Sequence, residues 1–238
     1  MDLSRYCAAP LTAYYAHKEN DYGNETVAGP LHTDDTPVPV QAPGTGKTKT
    51  GRIWTYLRDE RDWLGEAAPA AFYKYSPDRK GARPQEHLKG YEGFLHADGY
   101  AGYEKLYGTG KITKVACMAH IRRKFVDIYK ANGSLIAKEA IELIAELYGI
   151  EKKIRQQPPD VKRSVRQEHA KPLFGELQAW LPTQLNKIPA KSSLAGAIRY
   201  AITRLKRLEA YLTDGRLSLD NNPAERCMRP IALGRNYV

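Results

Sequence analysis

No stretch of the 238-residue chain comes near the roughly 20 consecutive apolar residues that cross a bilayer. The first ten residues show no basic region followed by an apolar core, so a secretory leader is not expected. Cysteine is scarce: Cys7, Cys117 and Cys227 are far apart and odd in number. That argues against a disulfide framework and for a reducing cytoplasm. Acids are in the minority, 27 against 37 Lys and Arg, giving a formal charge of +10 and a pI near 9.4. Such an excess attracts polyanions, of which nucleic acid is the commonest in a soluble protein's surroundings. With 42% apolar residues, the chain can bury the core of one large domain or two small ones.

Residues 1–30 read as an irregular segment without a sustained period. From Leu31 to Val40 a short strand is expected, with Pro37 and Pro39 confining its second half to an edge or an end. Ala42 to Gly51 reads as a Gly/Lys/Thr loop. Ile53–Leu57 and Ala71–Tyr75 alternate as strands, suggesting an antiparallel meander. A short helix over Pro84–Lys89 and strands over Gly93–Ala97 and Ile112–Cys117 follow, then a basic helix over Met118–Ala131. Leu135 to Tyr211 carries apolar residues at helical spacing, as in Ile136, Ala140, Ile144 and Leu147. Pro158-Pro159 and the stretch Pro182–Pro189 are expected to separate these helices. A last helix should begin near Asn222, with Pro223 in its first turn. The fold class is therefore α/β, a mixed sheet followed by an all-helical block.

Gly44-Thr-Gly-Lys-Thr48 invites a nucleotide-binding loop and hence a nucleotide hydrolase. However, Gln41 stands where that motif needs Gly, and a strand follows where a helix should receive the phosphate. A basic hairpin tip touching DNA backbone through Lys47 and Lys49 fits better. Cys117-Met-Ala-His120 has metal-ligand spacing but lacks the second pair that a structural zinc site needs. Arg122-Arg-Lys124 is a basic helical turn suited to phosphate contacts, or to a solvated face. The acids Asp34, Asp35, Asp98 and Glu225 could hold divalent ions if the fold brought them together.

Several motifs in order supply the specificity that spacing lacks. They are Leu31-His-Thr-Asp-Asp-Thr-Pro-Val, Gly46-Lys-Thr-Lys-Thr-Gly-Arg-Ile-Trp-Thr-Tyr and Tyr75-Ser-Pro-Asp-Arg. Ala97-Asp-Gly-Tyr-Ala-Gly-Tyr, Cys117-Met-Ala-His-Ile-Arg-Arg-Lys-Phe and Asp220-Asn-Asn-Pro-Ala-Glu-Arg follow, with Gly234-Arg235 beyond. From about Leu31 to Asn236 the chain resembles the transposases of the insertion-sequence-66 family. The resemblance implies a ribonuclease-H-like fold with a helical insertion: core 31–130, insertion 131–213, and core 214–238 with the last catalytic helix. It implies Asp34, Asp98 and Glu225 as catalytic acids holding two Mg²⁺ (or Mn²⁺) ions, with Asp35 as second choice to Asp34. Arg226 and Arg229 become phosphate contacts alongside Lys47, Lys49, Arg122, Arg123 and Lys124. Implied partners are transposon ends and target DNA, a homo-oligomer, and accessory proteins of the same element, with no membrane, in a bacterial cytoplasm. Against that family's pattern the chain reads as truncated at both ends. The expected activity is DNA strand cleavage and strand transfer, the alternative being an inactive DNA-binding remnant.

Overall fold

The computed structural model describes residues 29–42, 44 and 46–234. The expectations for residues 1–28 and for Arg235 lie outside these. The chain divides into two compact units, one from residues up to 59, 68–114 and from 222 on, the other from 60–67 and 115–221.

The first unit is built on a five-stranded mixed sheet of order β3-β2-β1-β4-β5. The strands are β1 (Leu31–Ala42), β2 (Lys47–Arg58), β3 (Ala70–Ser76), β4 (Gly93–His96) and β5 (Ile112–Val115). β1 pairs antiparallel with β2, from His32↔Leu57 to Ala42↔Lys47, and β2 antiparallel with β3. β4 lies parallel to β1 only at Leu31↔Leu95 and His32↔His96. Beyond that point β2 alone pairs with β1 among the described residues, so Pro37 and Pro39 sit where no second ladder needs their missing N–H.

The expected loop over 42–51 is instead mostly strand, and the correction has a physical reason. Lys47 to Thr50 are exposed, so no hydrophobic alternation marks them, and pairing with Pro39–Ala42 holds them extended. The turn itself needs Gly44 and Gly46, at φ of 78° and 61°. No helix follows it, which removes the phosphate-loop reading.

Trp54 and Tyr56, two apart on β2, point into one core with Leu31, Leu95, Tyr103 and Leu106. Leu88 and Tyr91 join it from beyond α1 (Ala82–His87), and Leu106 comes from α2 (Glu104–Tyr107). Trp54 meets Tyr103 edge-on, centroids 6.2 Å apart.

The second unit is helical: α3 (Met118–Asn132), α4 (Leu135–Lys153), α5 (Pro159–Val165), α6 (Lys171–Leu185), α7 (Ser193–Leu205) and α8 (Ala210–Thr213). Ser134 and Ser192 cap α4 and α7 by accepting from Ala137 and Ala195 N–H. Ile121 and Phe125, Ile144 and Leu147, Phe174 and Leu177, and Ile198 and Ala201 are buried at helical spacing. Pro182, expected between helices, lies within the last turns of α6. Its missing N–H forfeits one bond, and the helix ends three residues later.

Between α5 and α6, Arg166–Ala170 winds as a π turn. There Arg166, fully buried, pairs with Glu151 at 2.7 and 2.8 Å and donates to the carbonyls of Tyr211, Asp214 and Leu217. Among the described residues no helix is long and apolar enough to cross a membrane.

The final helix, α9 (Asn222–Gly234), returns to the first unit and packs on β1 and β2. Ala224 and Met228, one turn apart, are the buried contacts.

Candidate functional site

Strand register explains why two distant acids meet. His32 lies beside His96 on parallel strands, so Asp34 and Asp98, each two residues on, advance together to the same end. The rings of His32 and His96 stack at 4.3 Å just behind them. Ligand oxygens of Asp34, Asp35 and Asp98 all lie within 4.8 Å of one another. Among the described residues this is the one group of three or more His, Cys, Asp or Glu side chains close enough to hold an ion.

α9 brings the fourth acid. Met228 contacts Thr55 Oγ1, and Thr55 is the direct cross-strand partner of Asp34. Tyr73 of β3 fixes the helix further, its hydroxyl donating to the Cys227 carbonyl at 3.1 Å. Glu225, three residues before Met228 on a half-buried part of the helix, then lies close enough for its charge to act on Asp34.

The acids differ in their surroundings. Burial pushes the Asp34 carboxyl up to about 7, opposed by a hydrogen bond from the Asp35 N–H and reinforced by the charges of Asp98, Asp35 and Glu225. Asp35 is committed elsewhere. Its side chain is 1% exposed and held by Arg52 at 3.0 Å and by Arg79, whose Nη2 approaches to 2.7 Å and Nε to 2.9 Å. Asp98 accepts from the Tyr100 N–H at 2.9 Å and lies 3.4 Å from Arg79 Nη2.

Arg79 was absent from the sequence reading, although Tyr75-Ser-Pro-Asp-Arg was among its motifs. A chain of contacts from the core places it. Trp54, across from Asp35 in the β1–β2 register, donates through Nε1 to Ser76 Oγ at 2.8 Å, and Ser76 donates to the Asp78 carbonyl at 2.6 Å. The Arg79 guanidinium stacks 4.2 Å from the Tyr100 ring centroid, and Tyr100 in turn donates to the Arg79 carbonyl. The two loops can touch because a Cβ on Gly81 would come 2.9 Å from the Gly102 carbonyl oxygen.

The remaining sequence candidates are dispersed. Lys47 and Lys49 are exposed at the β1–β2 hairpin, and Arg226 and Arg229 are exposed on α9. Arg122, Arg123 and Lys124 are exposed on α3 in the helical unit. Cys117 is buried at the start of α3, accepting from the Asn221 N–H at 3.1 Å, and burial raises its thiol to about 11. It is a packed thiol rather than a thiolate ligand.

A family model described as Transposase IS66 family matches residues 6–238. The chain is 41% identical over 221 residues to uncharacterized protein y4hP of Sinorhizobium fredii (strain NBRC 101917 / NGR234), covering 86% of this chain and 40% of that protein. Uncharacterized proteins y4qI and y4jD of the same organism are each 36% identical, over 86% of this chain and 39% and 41% of their own length. The chain thus spans about two fifths of the curated relatives it matches. No solved structure matches it.

Proposed function

The chain belongs to the IS66 family of transposases, and from that premise we propose that it carries the catalytic site for DNA strand cleavage and strand transfer. The observation that supports this most is the gathering of Asp34, Asp35 and Asp98 from β1 and just beyond β4, with Glu225 of the returning helix near enough for its charge to act on Asp34. An antiparallel meander whose first strand pairs in parallel with the fourth, followed by a helical unit and a returning helix, supports the ribonuclease-H-like reading. On this reading the insertion between the second and third acid, 131–213, falls within the helical unit of residues 60–67 and 115–221.

The donor set fits Mg²⁺ or Mn²⁺: the facing groups are carboxylate oxygens, and Asp34 is held at a pKa that ionisation beside a cation would relieve. When bound, a pair of such ions activates an attacking water or 3′-hydroxyl and offsets charge at the leaving oxygen. Asp34, Asp98 and Glu225 would hold the pair. Asp35 does not ligate, because doing so would break its bonds to Arg52 and Arg79. Its role is to position Arg79 beside Asp98. Among the described residues Nη1 of Arg79 has no hydrogen-bond partner, and on this reading it meets a phosphate oxygen of the bound strand. Lys47, Lys49, Arg226 and Arg229 contribute further phosphate contacts from the same unit. Partners on this reading are transposon ends and target DNA. Joining two ends calls for at least two copies, with accessory proteins of the element assisting.

The test is nicking of labelled DNA in Mg²⁺ or Mn²⁺ by the purified chain, with Asp98→Asn alongside. Cleavage in the wild type that falls at least a hundredfold in the variant is expected. Equal cleavage by both would overturn the assignment of Asp98, and binding without any cleavage by a folded wild type would overturn the enzymatic reading.

A further inference from the structure

The chain's positive charge is concentrated rather than spread. Residues 118–132 and 193–207, which comprise α3, α7 and the two residues after it, hold eight Lys or Arg and one acid, Asp127. That is a net of +7, against +10 for the whole chain. The two helices pack against each other within the helical unit, and Lys124 of one meets Arg204 of the other at a shared ring.

At the junction of the helices stands Tyr200. Arg204 places its guanidinium carbon 4.3 Å from the Tyr200 ring centroid, and Lys124 of α3 places its ammonium 5.9 Å from the same centroid. Among the described residues neither cation pairs with a carboxylate, Asp127 one turn from Lys124 included. Arg204 Nε is buried without a hydrogen-bond partner. The ring's quadrupole favours a cation at its face and so holds Arg204 and Lys124 near one another. Phosphate oxygens arriving there gain charge-assisted hydrogen bonds from both side chains.

We infer that this α3–α7 face is a docking surface for the phosphate backbone of duplex DNA, centred on Lys124, Tyr200 and Arg204. The choice of DNA over other polyanions rests on the transposase reading. The mode follows from the ring. Single-strand binders present an open aromatic face on which a base stacks. Tyr200 already holds Arg204 and Lys124, so it serves as a spacer that fixes two cations for phosphates. Recognition here is therefore sequence-independent and strongly dependent on salt.

The experiment is fluorescence anisotropy of the full chain with a labelled duplex of arbitrary sequence, from low to physiological salt. The wild type is compared with Lys124→Gln/Arg204→Gln and with Asp98→Asn. Each phosphate contact contributes about 0.9 to the slope of log affinity against log salt. The double variant should therefore lose about 1.8 of slope and bind about tenfold more weakly at physiological salt. A double variant of native helicity that retains the wild-type slope overturns the inference. Should it lose helicity, Lys124→Gln alone, at an exposed position, reads half the slope change, and an unchanged slope there overturns it equally. Asp98→Asn separates the two claims: it should abolish nicking and leave this slope intact. If the wild type binds through Lys124 and Arg204 but never cleaves, the catalytic reading fails and the docking surface stands. If it cleaves but is indifferent to Lys124 and Arg204, the reverse holds.

Discussion

Asp34 and Asp35 are adjacent in sequence and opposite in circumstance. Asp35 is neutralised by Arg52 and Arg79, whereas Asp34 faces other acids and is held up to about 7 chiefly by burial. The native state keeps the Asp34 proton between pH 3.8 and about 7, where the unfolded chain has released it. Without metal, stability from this group is present below that window and is lost as pH rises through it. Divalent binding under the proposed function would run the other way, since ligation needs the carboxylate. Apparent affinity is expected to fall about tenfold per pH unit below 7 and to level off above it; calorimetric titration at several pH values checks this, and a flat profile would contradict it. The sequence cannot separate these two acids. What separates them is a pairing register that sets Arg52 near Asp35, and a loop that carries Arg79 back from 44 residues away.

At the scale of elements, apolar periodicity was the legible part. It located the strands over Ile53–Leu57 and Ala71–Tyr75, the basic helix from Met118, and the helices between Leu135 and Tyr211. It missed the first half of β2, where Lys and Thr face solvent and only the partner strand dictates an extended chain. It also could not see how the helical unit is tied together, because the tie is a charged residue. Arg166 looks like one more surface cation in the sequence, yet it is buried against Glu151 and bonds the carbonyls of Tyr211 in α8 and of Asp214 and Leu217 beyond it. Arg166→Ala leaves Glu151 and those carbonyls unmatched and is expected to cost about 3–5 kcal/mol. Thermal unfolding followed by far-ultraviolet circular dichroism reads that loss, and an unshifted melting curve would contradict the tie.

For the whole molecule, the bulk charge of +10 suggests a polyanion partner, which the proposed function takes to be DNA. Composition could not tell where the charge resides or that the acids gather in the opposite sense. Asp34, Asp35, Asp98 and the hairpin lysines belong to the sheet unit, and Lys124, Tyr200 and Arg204 belong to the helical unit. The gathering of Asp34, Asp35 and Asp98 depends on a parallel pairing of only two residues, and the nearness of Glu225 to Asp34 depends on the return of α9 after more than a hundred residues of helical unit. No local pattern encodes such a juxtaposition; only the ordered family motifs pointed to it.

Under the proposed function Asp34, Asp98 and Glu225 hold divalent cations together. Mn²⁺ titration of the purified chain at pH 8, with free Mn²⁺ followed by electron paramagnetic resonance, tests this. The same titration is made on Asp98→Asn and on Asp127→Asn, an acid of the helical unit. Saturable binding that weakens at least tenfold in Asp98→Asn and is unchanged in Asp127→Asn is expected. Binding that is absent from the folded wild type, or indifferent to Asp98, would contradict it.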